Sequence, residues 1–376
     1  MTRPAILTLN GGSSTVKCAL FTHQPEPVEI ARQSLDGTGR AALAALRTWT
    51  ASHGGGLEIA AVGHRIVHGG RLYVNPQRVT ADLITNLRSL VPFAPNHLPQ
   101  EIALIEASAE AYPHAAQCAC FDTAFHSTMP EVARRLPLPD SYTSRGIQKY
   151  GFHGLSYAYL IGELARVAGP AAAASRVILA HLGNGSSLAA IHQGRSLDTT
   201  MGLTPIGGVM MGTRTGDMDP GVITHLGRTE SLSADDLENV LSAESGLLGV
   251  SGATSDMKEL LAREGSDASC RLAIDMYVYS IAKAVGALCA VLNGVDTIVF
   301  SGGIGEHAAA IRSRVLGRLT WLGLDVDQAA NDRHAAVISS PGSRMTVRVI
   351  PTNEELVIAR STHTLAQSEH SYGDRS

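Results

Sequence analysis

Three short segments of this sequence combine glycine with hydroxyl or amide side chains: Asn10-Gly11-Gly12-Ser13-Ser14, Gly183-Asn184-Gly185-Ser186-Ser187 and Gly302-Gly303-Ile304-Gly305. Glycine removes the Cβ, so backbone N–H groups can crowd around an anion, and serine hydroxyls add donors. One such turn reads equally well as a hairpin turn. Three in one chain point to a polyphosphate ligand. The third leads into Glu306 and the run Ala308 to Leu316, which predicts that it opens a helix with its N-terminal dipole on a phosphate. None fits the G-x-x-x-x-G-K-[ST] loop or the dinucleotide fingerprint. Lys17 follows Ser14 by three residues. It can reach a terminal phosphate as a point charge, or simply face solvent.

Two arginines are bracketed by glycine, Arg65 in Gly63-His64-Arg65-Ile66-Val67-His68-Gly69-Gly70 and Arg214 in Met211-Gly212-Thr213-Arg214-Thr215-Gly216-Asp217. Arginines pinned on short glycine loops suit a bidentate grip on carboxylate or phosphate; surface ion pairing is the alternative. Asp122 closes the apolar run Cys118 to Phe121, and Pro351-Thr352-Asn353-Glu354-Glu355 closes the run Val347 to Ile350. Carboxylates at strand ends are hard oxygen ligands that suit Mg²⁺, which keeps most of its waters. The 15 histidines show no zinc-site spacing, and His153, between Gly151 and Gly154 in an apolar stretch, reads as a buried imidazole.

The elements that position these residues alternate between strand-like and helix-like runs, an α/β class. A repeat is visible. Ile6 to Leu9, a glycine-serine turn and Val16 to Phe21 match Val177 to Leu182, a second such turn and Leu188 to Ile191. Cys118 to Phe121 is matched to Thr297 to Phe300. Two similar halves predict duplicated domains around a central cleft. The turn-rich segment Pro137 to Arg145 places a boundary near Tyr150, between residues 1–150 and 151–353.

With 376 residues, 44% hydrophobic and 17% charged, the chain can bury a large core. A net charge of −4 argues against nucleic acid or an anionic membrane as partner. The run Ala5 to Leu9 is too short for a signal peptide. Ala273 to Leu292 carries Asp275 and Lys283 and reads as a buried or interface helix. Five cysteines without metal spacing fit reduced thiols in a cytosol. Cys118 and Cys120 share one face of a strand, as core residues do.

Taken together, the motifs resemble the acetokinase (acetate kinase) family, within the wider ribonuclease H-like fold of actin, sugar kinases and the Hsp70 ATPase. The resemblance runs from Ile6 to Arg360 through N-x-G-S-S-x-x-K, G-H-R-x-V-H-G-G, F-D-T-A-F-H-x-T-M-P, Y-G-F-H-G, A-H-L-G-N-G-x-S, M-G-T-R-x-G-D-x-D-P-G, S-G-L-L-G-x-S-G, G-G-I-G-E and P-T-N-E-E-L. It implies reversible phosphoryl transfer from ATP to acetate, direct and in line, in a cytoplasmic homodimer, with residues 354–376 packing back on the first domain. By position, Asp122 is the catalytic carboxylate, and His153 and Arg214 stabilise the transferring group. Arg65 holds the acid, and Val67, Asn96, Phe152 and Pro205 form its alkyl pocket. Asn10 and Glu354 bind Mg²⁺, with Mn²⁺ as a substitute, and Lys17 meets the phosphates. His181, Leu182, Gly183, Asn184, Gly185, Asp256, Met257, Lys258, Gly303, Ile304, Gly305, Glu306 and His307 line the nucleotide site.

The sequence departs from the family at four places. Ala94-Pro95-Asn96-His97-Leu98-Pro99 stands for A-P-L-H-N-P, and Gly154-Leu155-Ser156-Tyr157 for G-T-S-H. Lys258 replaces an arginine and His307 an asparagine. These changes fall at the acyl and nucleoside ends, so propionate or another short acid is the alternative acceptor and pyrophosphate the alternative donor. A nucleotide-sensing protein on the same fold is the non-enzyme alternative.

Overall fold

The structure is a computed structural model of the chain and describes residues 2–12, 15–37, 40–53 and 56–368. It divides into two compact units. One comprises Met1–Ser127, Phe152–Tyr159 and Asn353–Ser376, the other Thr128–Gly151 and Leu160–Thr352.

The first unit holds the strands β1 (Arg3–Gly11), β2 (Thr15–Thr22), β3 (Glu29–Asp36), β4 (Leu57–Ile66), β5 (Gln77–Arg78) and β6 (Ala116–Phe121), in the order β3-β2-β1-β4-β6-β5. β1 pairs antiparallel with β2 and parallel with β4, and β4 runs parallel to β6. Side chains of β1 alternate between two covered faces, as period-two geometry requires. Leu7 and Leu9 join Val16, Leu46 and Leu104 in one core. Ile6 joins Phe21, Ala61, Ala359 and Ala366 in another. The second core is closed by the helix Glu354–Gln367. At Gly63 this helix comes so close that a Cβ would strike Thr362 and Ile358. The glycine before Arg65 therefore admits a helix, and Arg65 itself sits on strand β4 instead of the expected glycine loop.

The second unit repeats the plan with β7 (Val177–Leu182), β8 (Ser186–His192), β9 (Arg195–Thr199), β10 (Thr297–Ser301) and β11 (Thr346–Val349), ordered β11-β10-β7-β8-β9. β7 and β8 are antiparallel, while β7, β10 and β11 are mutually parallel neighbours. Both sheets thus share the ribonuclease H-like order, with β1 matching β7 and β4 matching β10. The expected pairing of Cys118–Phe121 with Thr297–Phe300 is corrected by this order: β6 corresponds to β11. Short apolar runs of buried parallel strands look alike, and only sheet position tells them apart.

The long helix Ala268–Leu292 is apolar and long enough to cross a bilayer by composition. Here Ile274, Tyr277, Ile281, Val285 and Leu288 pack with Ile178, Leu188, Ile298 and Phe300 in the second core. The five cysteines are free and buried.

The boundaries differ from a single cut near residue 150. Lys149 donates to Asp198 (2.8 Å), and the Tyr150 N–H to the Gly202 carbonyl (3.0 Å), which holds 128–151 to the second unit. The Gly154 N–H donates to the Asp122 carbonyl (2.9 Å), which holds 152–159 to the first.

Candidate active site

In the first unit the C-terminal ends of β1, β4 and β6 deliver Asn10, Arg65 and Asp122 to one place. Asp122 is fully buried, and its Oδ2 accepts from Arg65 Nη2 (2.6 Å) and Nε (3.1 Å). Arg65 Nη1 reaches Asn10 Oδ1 at 3.4 Å. Asn10 Nδ2 donates to Glu354 Oε2 (3.0 Å) and Glu355 Oε1 (3.5 Å) at the start of the C-terminal helix. Arg65 keeps 14% of its side chain exposed. Burial opposes its charge, but Asp122, Glu354 and Glu101 outweigh that and hold it above the ordinary arginine range. Burial likewise lifts Asp122 above the usual carboxylate range, against the pull of Arg65. Among the described residues, Asp122 Oδ1 is buried without a hydrogen-bond partner.

His153 follows Asp122 through local geometry. Its φ is +58°, an unusual conformation for a side-chain-bearing residue. Gly154 next to it has no room for a Cβ, which would collide with the Asp122 carbonyl. The turn Gly151–Gly154 is thereby clamped onto the end of β6. Phe152 is buried, and its carbonyl accepts from His126 Nε2 (3.0 Å). Val67 is also buried.

Asn96 departs from expectation. It is exposed, whereas Leu98 is fully buried. The Asn96 amide therefore meets water and needs no partner inside a pocket, and the leucine of this loop has moved to Leu98. Lys17 is exposed on β2. Ser13 and Ser14 of the first glycine turn lie outside the described residues.

In the second unit the turn Gly183–Gly185 joins β7 to β8, and Ser186 Oγ donates to the Gly183 carbonyl (3.0 Å). The loop bearing Arg214 docks there through the Gly212 N–H and the Asn184 carbonyl (3.0 Å). Arg214 Nη1 donates to the Pro205 carbonyl (3.2 Å). Pro205 thus touches the arginine through its backbone.

The third glycine segment opens a helix, as expected, and is itself part of it. Gly302–His307 is itself a short helix, broken at Ala308 before a second helix, Ala309–Gly317. Its N-terminus is closed by its own side chain: Glu306 Oε1 accepts from the Gly302 N–H (2.9 Å) and Ser301 Oγ (3.3 Å). Gly303 and His307 are exposed, and Ile304 packs on the core. Leu182 and Met257 are core residues too. Asp256 caps the helix Met257–Arg263 by accepting from the Glu259 N–H (2.9 Å). Lys258 is exposed, and His181 half-buried.

Two residues, Glu101 and Arg312, went unread in the sequence, and Glu355 was read only as the carboxylate beside Glu354. Glu101, in the helix Leu98–Ala111, is buried and accepts from the Val67 N–H (3.0 Å). Glu355 stands beside Asn10, and Arg32 Nη1 approaches its Oε2 (3.5 Å). Arg312 is fully buried and donates to the Gly305 and Glu306 carbonyls (2.8 Å each), to Asn331 and to His334 Nδ1 (3.0 Å). The sequence gives no signal for Arg312, which stands beside Ser313 and Arg314 in the helix Ala309–Gly317.

The oxygen donors Asn10 and Glu354 suit a small hard cation that brings its own water. No group of three or more His, Cys, Asp or Glu suited to a metal occurs among the described residues, and Mg²⁺ needs none.

A sequence model of the acetokinase family matches residues 40–360. The acetate kinase of Rhodopseudomonas palustris (strain TIE-1) is 44% identical over 392 residues, spanning 96% of this chain and 98% of the relative. Among solved structures, that of Porphyromonas gingivalis acetate kinase superposes with a TM-score of 0.87 at 36% identity, covering 96% of this chain and 99% of the other. That of a propionate kinase from Francisella tularensis subsp. tularensis SCHU S4 gives 0.89 at 34% identity, covering 97% and 100%.

Proposed function

Since this chain belongs to the acetokinase family, we propose that it transfers the γ-phosphoryl group of ATP reversibly to the carboxylate of acetate, giving acetyl phosphate and ADP with Mg²⁺ bound. The observation that carries this reading is Arg65, a guanidinium pinned on one edge by Asp122 and Asn10 and left partly exposed. Such a fixed fork suits a carboxylate.

A carboxylate oxygen bonds to the γ-phosphorus as the bond to the β-phosphate oxygen breaks. Asp122 is not the nucleophile, because one oxygen is engaged by Arg65 and both are buried. Transfer is therefore direct and in line. Phosphoryl transfer needs positioning and charge neutralisation more than covalent help. His153 and Arg214 are assigned the charge on the equatorial oxygens. Arg65 orients the acid, and Val67 and Phe152 meet its alkyl end. Lys17, the turn Gly183–Gly185, Asp256–Lys258 and Gly303–His307 are assigned to the nucleotide and its phosphates. Mg²⁺, or Mn²⁺ in its place, supplies positive charge to the polyphosphate, and Asn10 and Glu354 are the residues that would hold it.

Trapping acyl phosphate with hydroxylamine tests this reading. Acetate with ATP and Mg²⁺ should give product, and chelation should abolish it. No product from acetate, propionate or butyrate would overturn it. Propionate is the second reading, favoured by the likeness to the propionate kinase structure, and the ratio of kcat/KM for the two acids decides between them.

A homodimer and a cytoplasmic setting belong to the same proposal. Leu272, Met276 and Tyr279 are exposed along one stripe of the helix Ala268–Leu292, which suits cover by a second copy. Light scattering that shows only monomer at micromolar concentration would reject the dimer. Five free, buried cysteines suit a reducing compartment.

A further inference from the structure

Glu101 belongs to no role assigned so far. It is the fourth residue of the helix Leu98–Ala111 and only 3% exposed. Its Oε2 accepts from the Val67 N–H at 3.0 Å. Its Oε1 is buried with no hydrogen-bond partner among the described residues. The charged groups that face it are Arg65, from β4, and Asp122, at the end of β6.

Around Arg65 the charges do not balance. Asp122, Glu354 and Glu101 all act on this one guanidinium. Setting aside Glu354, whose charge the proposed Mg²⁺ would meet, Asp122 and Glu101 both ionised would set two negative charges against one guanidinium in a largely buried place, and a carboxylate substrate adds another. Such a surplus is costly away from water. One proton relieves it, and the contacts say where it sits. Asp122 accepts two N–H groups of Arg65. Glu354 is only half-buried and accepts from Asn10. Glu101 accepts one backbone N–H and no cationic donor.

We propose that Glu101 is a protonated positioning residue for the carboxylate substrate. Neutral, it tethers Val67 through one oxygen and leaves the charge of Arg65 to the acid. Ionised, it competes with the acid for Arg65. Burial supports the assignment, pushing Glu101 up to about 7. The inference rests on Arg65 as the acid-binding group of the proposed reaction.

The test compares wild type, Glu101→Gln and Glu101→Leu between pH 6 and 9. Glutamine keeps an acceptor for Val67 and cannot ionise. In wild type the acetate KM should rise above about pH 7, towards tenfold per pH unit, while the ATP KM stays level. Glu101→Gln should hold a pH-independent acetate KM within about threefold of the wild-type acidic value, with kcat retained. Glu101→Leu, without the tether, should raise the acetate KM about tenfold at every pH. A purely structural role would move both KM values together and leave the pH profile unchanged. A flat wild-type profile, or an unchanged one in Glu101→Gln, overturns the proposal. Carbon NMR of carboxyl-labelled glutamate gives a readout free of turnover, with Glu101→Asp as a second assignment variant. The Glu101 resonance should titrate well above the ordinary value of about 4, and higher still with acetate present. Titration in the ordinary range overturns the inference; failure of every short acid to be phosphorylated overturns only the proposed reaction.

Discussion

Asn96 and Leu98 exchange the polarity expected from the family pattern, and the structure gives each the environment its side chain suits. Asn96 is exposed and Leu98 fully buried. Asn96→Leu should therefore change stability by less than about 0.5 kcal/mol and the acetate KM by less than twofold. Leu98→Asn puts an amide in the core and should cost about 2–4 kcal/mol. Thermal melts and acetate kinetics on both variants check this; a damaging Asn96→Leu would return Asn96 to the acyl pocket. His153 and Arg214 make a different kind of prediction. His153 is held at positive φ, and Arg214 is leashed to the Pro205 carbonyl, so the protein fixes the backbone of one and the guanidinium of the other. Alanine at either should lower kcat about 10²–10³-fold with a far smaller change in the ATP KM. If both variants keep kcat within threefold, neither acts in the transition state.

The short helix Gly302–His307 is stabilised from both ends by single side chains. Glu306 folds back on its N-terminus, and Arg312 takes the Gly305 and Glu306 carbonyls at its C-terminus. The five N–H groups of Arg312 meet five acceptors, with Asn331 Oδ1, the Asn331 carbonyl and His334 Nδ1 completing the set. Arg312→Met leaves the Gly305 carbonyl and both Asn331 acceptors buried and unpaired, each at about 1–3 kcal/mol. It should lower the melting temperature and raise the ATP KM more than the acetate KM. Equal changes in both KM values would separate this helix from the nucleotide. At this scale the sequence was legible where one segment suffices. The strand pairs β1–β2 and β7–β8 sit at matching places in the two sheets, because the two strands of each pair are adjacent in the chain. It misled where identity depends on position in a sheet, as for β6 and β10. It was silent on Arg312, whose side-chain partners Asn331 and His334 lie in a distant segment that nothing local announces, and on Glu101, whose partner Val67 comes from another element.

Across the whole molecule, His64 and Glu101, both buried in the first unit, are shifted in opposite senses. His64 Nε2 lies 2.8 Å from Gln117 Oε1 and 3.2 Å from Ser108 Oγ. Burial pushes it down to about 4 from 6.5, and Glu101 is pushed up to about 7 from 4.5. The folded state thus keeps His64 neutral where the unfolded chain would protonate it. Between pH 6.5 and 4 the unfolded chain binds the extra proton, so His64 withdraws stability as pH falls, by ~3 kcal/mol in total. Glu101 does the reverse. Between pH 4.5 and 7 the folded state holds the extra proton, so stability is withdrawn as pH rises, by a similar ~3 kcal/mol. From about pH 4.5 to 6.5 the two slopes oppose each other, and wild type conceals both. Single substitutions expose them. The stability of wild type relative to His64→Gln should increase by ~3 kcal/mol from pH 4 to 6.5, because only wild type carries the histidine penalty at the acid end. The stability of wild type relative to Glu101→Gln should decrease by ~3 kcal/mol from pH 4.5 to 7. Taking differences against wild type removes the titration of all other carboxylates, which the variants share. Urea denaturation at pH 4, 4.5, 5.5, 6.5 and 7 measures both. If the two differences have the same sign of slope, or neither changes by more than about 0.5 kcal/mol, then the buried pair does not set the pH dependence of this unit.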